Sequence, residues 1–405
     1  MKSIHFLVPF FLVLYSNRYK ADMDAKALSS AIARFSAKFL NELDKTKSVV
    51  SSPLSAEFVL ALLALGTTDK AHDELLTTLG ISDDDSIRSS FASVSSKFKT
   101  IKGVTLDVAN KVYVMEGGYD LQPQLKEDAV KVFDAAFEKV DFCNSAHAAN
   151  LINTWVEDKT NKRIKDLITA DDLDSYTRLV LINAIYFKGT WKNQFNKSNT
   201  MDQPFYVTAS TTIDVPMMYK EDSFRYGISE KLKAQLLEMP YIDNEASMLI
   251  VLPEEKDGLD SMLQTLADGH DLLEDVAANM FHTKVQVTIP KFKIETEIDL
   301  GVLLPKMGIK QIFNKDDSGL TKILNANEPL YVSKGIQKAF IEVNEEGAEA
   351  AAATAGVVRM RRSLLVAPPT PVFLANRPAL WCITVAQQIV AVAIYRPAPT
   401  QRDEL

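Results

Sequence analysis

Cysteine is almost missing from this 405-residue chain: Cys143 and Cys382 are the only two. Two are too few for a disulfide scaffold or a cysteine-rich zinc module, and no spacing links them, so both read as free thiols. The five histidines (His5, His72, His147, His270 and His282) are scattered, with no H-E-x-x-H spacing to hold a metal. G-x-S-x-G and the P-loop are absent, and no glycine-rich dinucleotide loop follows a strand. No cofactor or metal is therefore expected, and the chain does not read as an enzyme. Fifteen glycines and sixteen prolines without a G-x-y period exclude a collagen-like rod. A formal net charge of −8 argues against nucleic acid as a partner. No apolar run reaches the roughly 20 residues of a membrane-spanning helix, so no membrane partner is expected. Asp83-Asp84-Asp85 and Asp171-Asp172 read as solvated turns rather than catalytic pairs. Lys97, Lys99 and Lys102 form a small basic face, read as solvated in preference to a sulfated-glycan site.

What is present is an ordinary globular composition, 47% hydrophobic and 24% charged. Lys2 followed by the apolar run Phe6 to Tyr15 and the small Ser16 reads as a secretory leader, residues 1–16, removed from the mature chain. The last four residues, Arg402-Asp403-Glu404-Leu405, look like the K-D-E-L class of tetrapeptide, which a receptor reads to return proteins to the endoplasmic reticulum. Asn196-Lys197-Ser198 is an N-glycosylation acceptor and fits the same route. The expectation is a monomeric glycoprotein of the endoplasmic reticulum lumen and early secretory pathway, partly secreted, with the retention receptor among its partners.

Apolar residues at Leu28, Ile32, Phe35, Phe39 and Leu43 have helical spacing. Ser52-Pro53-Leu54-Ser55 is a helix start, and the apolar stretch Phe58 to Leu65 predicts that this helix is buried. Residues 146–168 read as another helix. Leu179 to Phe187 is a continuous apolar run, as expected of a strand covered on both faces. Val285, Val287 and Ile289 alternate with polar residues, and after Pro290 the inward set shifts to Phe292, Ile294 and Ile298, predicting a bulge or kink at the proline. Trp381 to Tyr395 predicts two closing strands. Helices in the first half and strands in the second fit one α+β domain over residues 17–401.

Residues 345–371 break the pattern. An alanine-rich stretch from Glu345-Glu346-Gly347 to Gly356 is followed by Arg359-Met360-Arg361-Arg362-Ser363 and a proline cluster. It has no apolar stripe to dock it, which predicts an exposed loop, and long exposed loops in compact domains are usually functional.

Six segments together resemble the serpin family, in that family's order. They are Ser52 to Ser55, Asn183 to Trp191, Pro290-Lys291-Phe292, Leu304 to Gly308, Phe340 to Gly347 and Phe373 to Pro378. The resemblance implies three β-sheets with about nine helices and an exposed reactive-centre loop offered to a serine protease. After cleavage such a loop enters a sheet as an extra strand. Ala348, Ala350, Ala352 and Thr354 then form the period-2 set facing inward, all small, with Gly347 as the hinge beside Glu345 and Glu346. The resemblance also implies a polar cluster of Ser52, Ser55, Asn183 and Gln337 where the sheet opens. Gln337 stands where many members carry histidine, Ala379 replaces an aromatic after Arg377-Pro378, and Val385-Ala386-Gln387-Gln388 lacks the usual glycine turn.

Arg359, Met360, Arg361 and Arg362 form the R-x-[KR]-R pattern of furin-like proprotein convertases. Each guanidinium asks for a carboxylate-lined pocket in the protease. The commonest loop length puts the scissile bond after Arg361; the convertase pattern puts it between Arg362 and Ser363, which we favour. The expected function is suicide-substrate inhibition of these convertases. The alternatives are a non-inhibitory chaperone serpin of the endoplasmic reticulum, an inhibitor of trypsin-like proteases, or a substrate merely processed after Arg362.

Overall fold

The computed structural model describes residues 27–98, 101, 104–346, 369–386 and 388–398. The first helix covers residues 27–41 and buries Ile32, Phe35 and Phe39, the stripe its spacing requires. Ser52 caps the next helix, Pro53–Ala64, by accepting from Ser55 N, and Pro53 fills the first turn. All twelve of its residues are buried.

The helix expected over 146–168 is shorter: it runs Ser145–Lys159, and Asn161 and Lys162 then take left-handed backbone angles, φ 49° and 60°. Neither glycine nor proline announces that stop. Nine α-helices occur among the described residues, as the resemblance implied.

Five strands form one sheet, in the order Phe292–Asp299, Val332–Val343, Leu179–Gly189, Val104–Met115, Ala136–Val140. The two consecutive members Val332–Val343 and Leu179–Gly189 run parallel and pair directly, from Val332 opposite Leu179 to Ile341 opposite Phe187. Leu181, Ile185 and Phe187 pack into the main core, while Val180, Ile182 and Ala184 pack with Ile152 and Val156 of the Ser145–Lys159 helix. Burial on both faces is why this strand reads as one unbroken apolar run.

The other nine strands form a second hydrogen-bonded set. Its long member, Thr212–Ser229, pairs with Thr200–Tyr206 along its first part, with Phe281–Pro290 from Met217 to Tyr226, and with Ala234–Pro240 from Arg225 to Ser229. It thereby joins two regions of strand pairing through one backbone, and these two regions and the five-stranded sheet correspond to the three sheets that the resemblance implied. Pro290 is a crossing point rather than a bulge within one strand. Phe281–Pro290 ends on it in this set, and Phe292–Asp299 starts the edge of the five-stranded sheet. Trp381 to Tyr395 yields the two predicted strands, Leu380–Val385 and Gln388–Ile394. Without a glycine in their turn, Ala386 sits at φ 47°, a conformation that costs an L-residue roughly 1–2 kcal/mol.

One buried group works against this core. Glu57, in the Pro53–Ala64 helix, is 1% exposed, and its Oε2 has no hydrogen-bond partner. Burial pushes its pKa well above the ordinary 4.5. The stability tied to its neutral form is complete below 4.5 and is lost as pH rises through the folded-state value. Glu57→Met, which keeps volume and removes the charge, is expected to stabilise by about 1–3 kcal/mol at neutral pH. Thermal melts at pH 5 and pH 7.5 check this: the gain must be larger at pH 7.5, and equal gains contradict it.

Candidate functional site

The centre of the parallel pair carries a chain of buried amides and hydroxyls. Gln337 and Asn183 lie opposite each other in register, and Gln337 Nε2 donates to Asn183 Oδ1 at 2.6 Å. The same nitrogen donates to Ser52 O at 2.8 Å, and Gln337 Oε1 accepts from Ser52 N at 3.1 Å. Asn183 Nδ2 in turn donates to Ser55 Oγ at 2.6 Å. The four expected residues are thus brought together: Gln337 bonds Ser52 and Asn183 directly, and Ser55 is reached only through those two.

Two members were not anticipated. Ser51 Oγ donates to Gln337 Oε1, and Asn110 Oδ1 accepts from Ser55 Oγ at 3.0 Å and also from Asn183. Nothing in the sequence singles out Asn110, because its strand Val104–Met115 also carries Thr105, Asp107 and Lys111. Gln337 and Asn183 are both fully buried, so every one of these bonds is made away from water, where leaving a partner unmade costs about 1–3 kcal/mol. The cluster fastens the start of the Pro53–Ala64 helix to both parallel strands at once. Separating the strands means exchanging its bonds.

The second part of the site lies at the end where both strands run out. Leu179–Gly189 continues into Trp191 and Phe195, while Val332–Val343 continues into Asn344, Glu345 and Glu346. Trp191 Nε1 donates to Asn344 O at 2.8 Å, Phe195 N to Glu345 O at 2.9 Å, and Trp191 N to Glu346 O at 3.2 Å. Trp191 is itself fixed by stacking on Tyr241, with ring centroids 4.5 Å apart and planes 10° from parallel.

Glu345 is buried, and its two carboxylate oxygens are both engaged. Oε1 accepts from Thr200 Oγ1 at 2.9 Å, and Oε2 pairs with Lys291 Nζ at 3.2 Å. Burial works to raise its pKa, but its own backbone N–H, the Thr200 hydroxyl and Lys291 outweigh that and hold the carboxyl below its ordinary range. Glu346 pairs with Lys197 Nζ at 2.6 Å, a hydrogen-bonded contact that raises the Lys197 pKa. The segment from Trp191 to Thr200 is therefore a cradle. It holds the chain at the last two described residues before 369.

Of the remaining expected residues, Asn196 is exposed on this cradle. Gly347, Ala348, Ala350, Ala352 and Thr354 lie outside the described residues. So do Arg359, Met360, Arg361, Arg362 and Ser363, the tail Arg402, Asp403, Glu404 and Leu405, and the leader. Cys143 is exposed and Cys382 buried, and both are free; burial pushes the Cys382 thiol up to about 12. Asp172 is used structurally, capping its own turn through Thr169 and pairing with Lys334 at 3.0 Å. Among the described residues no group of His, Cys, Asp and Glu is arranged to hold a metal ion, and no helix is long and apolar enough to cross a membrane.

A family model described as serpin (serine protease inhibitor) matches residues 30–392. Antitrypsin of Bombyx mori is 44% identical over 374 residues, covering 92% of this chain and 94% of that protein. Antichymotrypsin-2 of the same organism is 45% identical over 357 residues, 87% of this chain and 94% of its own length. Among solved structures, Serpin48 of the insect Tenebrio molitor superposes with a TM-score of 0.80 at 31% identity, covering 92% of this chain and 98% of that one.

Proposed function

The chain belongs to the serpin family, and from that premise we propose that it inhibits furin-like proprotein convertases by trapping them as acyl-enzymes in the early secretory pathway. The observation that carries the reading is the direct parallel pairing of Val332–Val343 with Leu179–Gly189, with the loop leaving from their shared end. A chain reversing at Gly347 would run antiparallel to both strands. It would exchange one parallel ladder for two antiparallel ones, which are the more stable pairing per residue.

In the proposed sequence the convertase serine attacks the carbonyl carbon of Arg362. The peptide bond to Ser363 breaks, its nitrogen leaves as a protonated amine, and Arg362 stays esterified to the enzyme. The freed strand then enters between the two parallel strands. Glu345 and Glu346 leave the cradle, the Gln337–Asn183 bond is exchanged, and Ala348, Ala350, Ala352 and Thr354 fill the inward positions. The tethered protease is carried along before water can complete hydrolysis. The native sheet is metastable and relaxes once, so each molecule acts once.

A trypsin-like target is the second reading, favoured by the relative named antitrypsin and satisfied by a single arginine. Arg359 separates the two. Arg359→Ala removes one charge-assisted contact, worth about 1.5–3 kcal/mol, so inhibition of furin is expected to slow by roughly 10- to 100-fold. Inhibition of trypsin is expected to stay unchanged. Progress curves against both enzymes check this, and an equal loss for both, or for neither, contradicts the convertase reading.

A further inference from the structure

Asn196-Lys197-Ser198 is the sole N-x-[ST] acceptor in the chain, and it lies in the middle of the hinge cradle. On one side Phe195 N holds Glu345 O at 2.9 Å; on the other, Lys197 holds Glu346 at 2.6 Å and Thr200 holds the Glu345 carboxylate at 2.9 Å. Asn196 itself is exposed and caps the short turn Lys197–Asn199. Its Oδ1 accepts from Ser198 N at 3.0 Å and from Ser198 Oγ at 2.9 Å. Its Nδ2 has no partner among the described residues. The neighbours of this amide are committed to the hinge, while its nitrogen can carry a substituent without breaking a bond of the cradle.

The position matters because the cradle stands at the end of the parallel pair where an extended strand must enter. A backbone ladder carries no identity: an opening that accepts the chain's own loop accepts the same residues from a second copy. The chain's own hinge already sits inside the cradle, held through Glu345 and Glu346. A second copy's hinge segment has to arrive from solvent at this cradle, on which Asn196 is exposed between two residues that bond the hinge.

We propose that Asn196 carries an N-linked oligosaccharide that covers this open end and excludes the hinge segment of a second copy. The proposal rests on the secretory reading of the chain and on the strand-entry mechanism above. In the transfer, Asn196 Nδ2 forms a bond to the anomeric carbon of a lipid-diphosphate-linked oligosaccharide. The bond from that carbon to the diphosphate oxygen breaks, the diphosphate keeps the electron pair, and one Nδ2 proton passes to a base. The product is bulky and hydrated.

The test uses the full chain made in a secreting eukaryotic host. Intact mass before and after complete enzymatic deglycosylation is expected to show one glycan on the wild type and none on Ser198→Ala. Folded wild type is then trimmed with an endoglycosidase that leaves a single N-acetylglucosamine, so that no residue changes. Incubated just below the melting transition, trimmed protein is expected to oligomerise about tenfold faster than untrimmed, a change of roughly 1.4 kcal/mol in the barrier. Trapping of protease, measured on the same samples, is expected to be equal. Absence of a glycan on secreted protein, or equal oligomerisation rates, overturns the proposal. No covalent protease complex in either sample, with the tenfold difference retained, overturns the proposed trapping of protease, while entry of an extended strand, and with it this inference, stands.

Discussion

Arginine at Ala350 is expected to turn the inhibitor into a substrate. In the proposed strand entry Ala350 takes an inward position with Ala348, Ala352 and Thr354, which would place the new guanidinium against the apolar core without a counter-charge. An uncompensated buried charge costs several kcal/mol even after relaxation, and each 1.4 kcal/mol added to the barrier for entry slows it about tenfold. Deacylation of the protease meets no such obstacle and wins the competition. Furin is therefore expected to cut Ala350→Arg at the same bond and to survive, with the number of inhibitor molecules consumed per protease rising at least about tenfold. Glu349→Arg is the control, since residue 349 has the opposite parity and in the proposed entry faces away from the main core; it is expected to remain an inhibitor. Titration of furin activity against each variant decides the point. Unchanged stoichiometry for Ala350→Arg contradicts strand entry in this register.

The second large effect is expected at Glu345. Glu345→Lys loses the bonds to Thr200 and Lys291 and places a cation against Lys291. Breaking a buried ion pair can cost 3–5 kcal/mol, but Lys291 is a third exposed, so screening reduces the figure to about 2 kcal/mol. The released hinge is expected to lower Tm and to raise oligomer formation on mild heating. Glu345→Gln keeps a partner for Thr200 and is expected to do less. Its pH dependence carries the sign: the wild-type carboxyl has a lowered pKa, so its contribution is present above the ordinary 4.5 and is lost as pH falls through the folded value. The Tm deficit of Glu345→Gln is thus full at pH 7 and closes in acid. A deficit that is constant with pH, or none at pH 7, contradicts the part assigned to this ion pair.

Much of this frame was legible in the sequence because local signals and burial agreed. Ser52 and Pro53 start a helix by capping chemistry alone, and the run Leu179 to Phe187 states its burial on both faces. The residues of the polar cluster were also readable, through the family resemblance. Its wiring was not, because whether Gln337 touches Ser55 itself or reaches it through Ser52 and Asn183 depends on strand register. The cradle was less legible still. Glu345, Thr200 and Lys291 come from three separate segments, and nothing local in any of them names the others. Pro290 gave a true signal with the wrong scale: the inward set does shift there, because the chain changes sheets. Glu57 was invisible for the opposite reason, since a charged residue predicts an exposed position and here the helix has no exposed face.

The central claim is covalent trapping at the basic loop, and the most direct measurement is a denaturing, reducing gel of the mature protein mixed with furin. The account predicts a band near the summed mass that survives boiling, with mass spectrometry placing the cut after Arg362. Clean cleavage at that bond with furin fully active, or no cleavage at all, would contradict it.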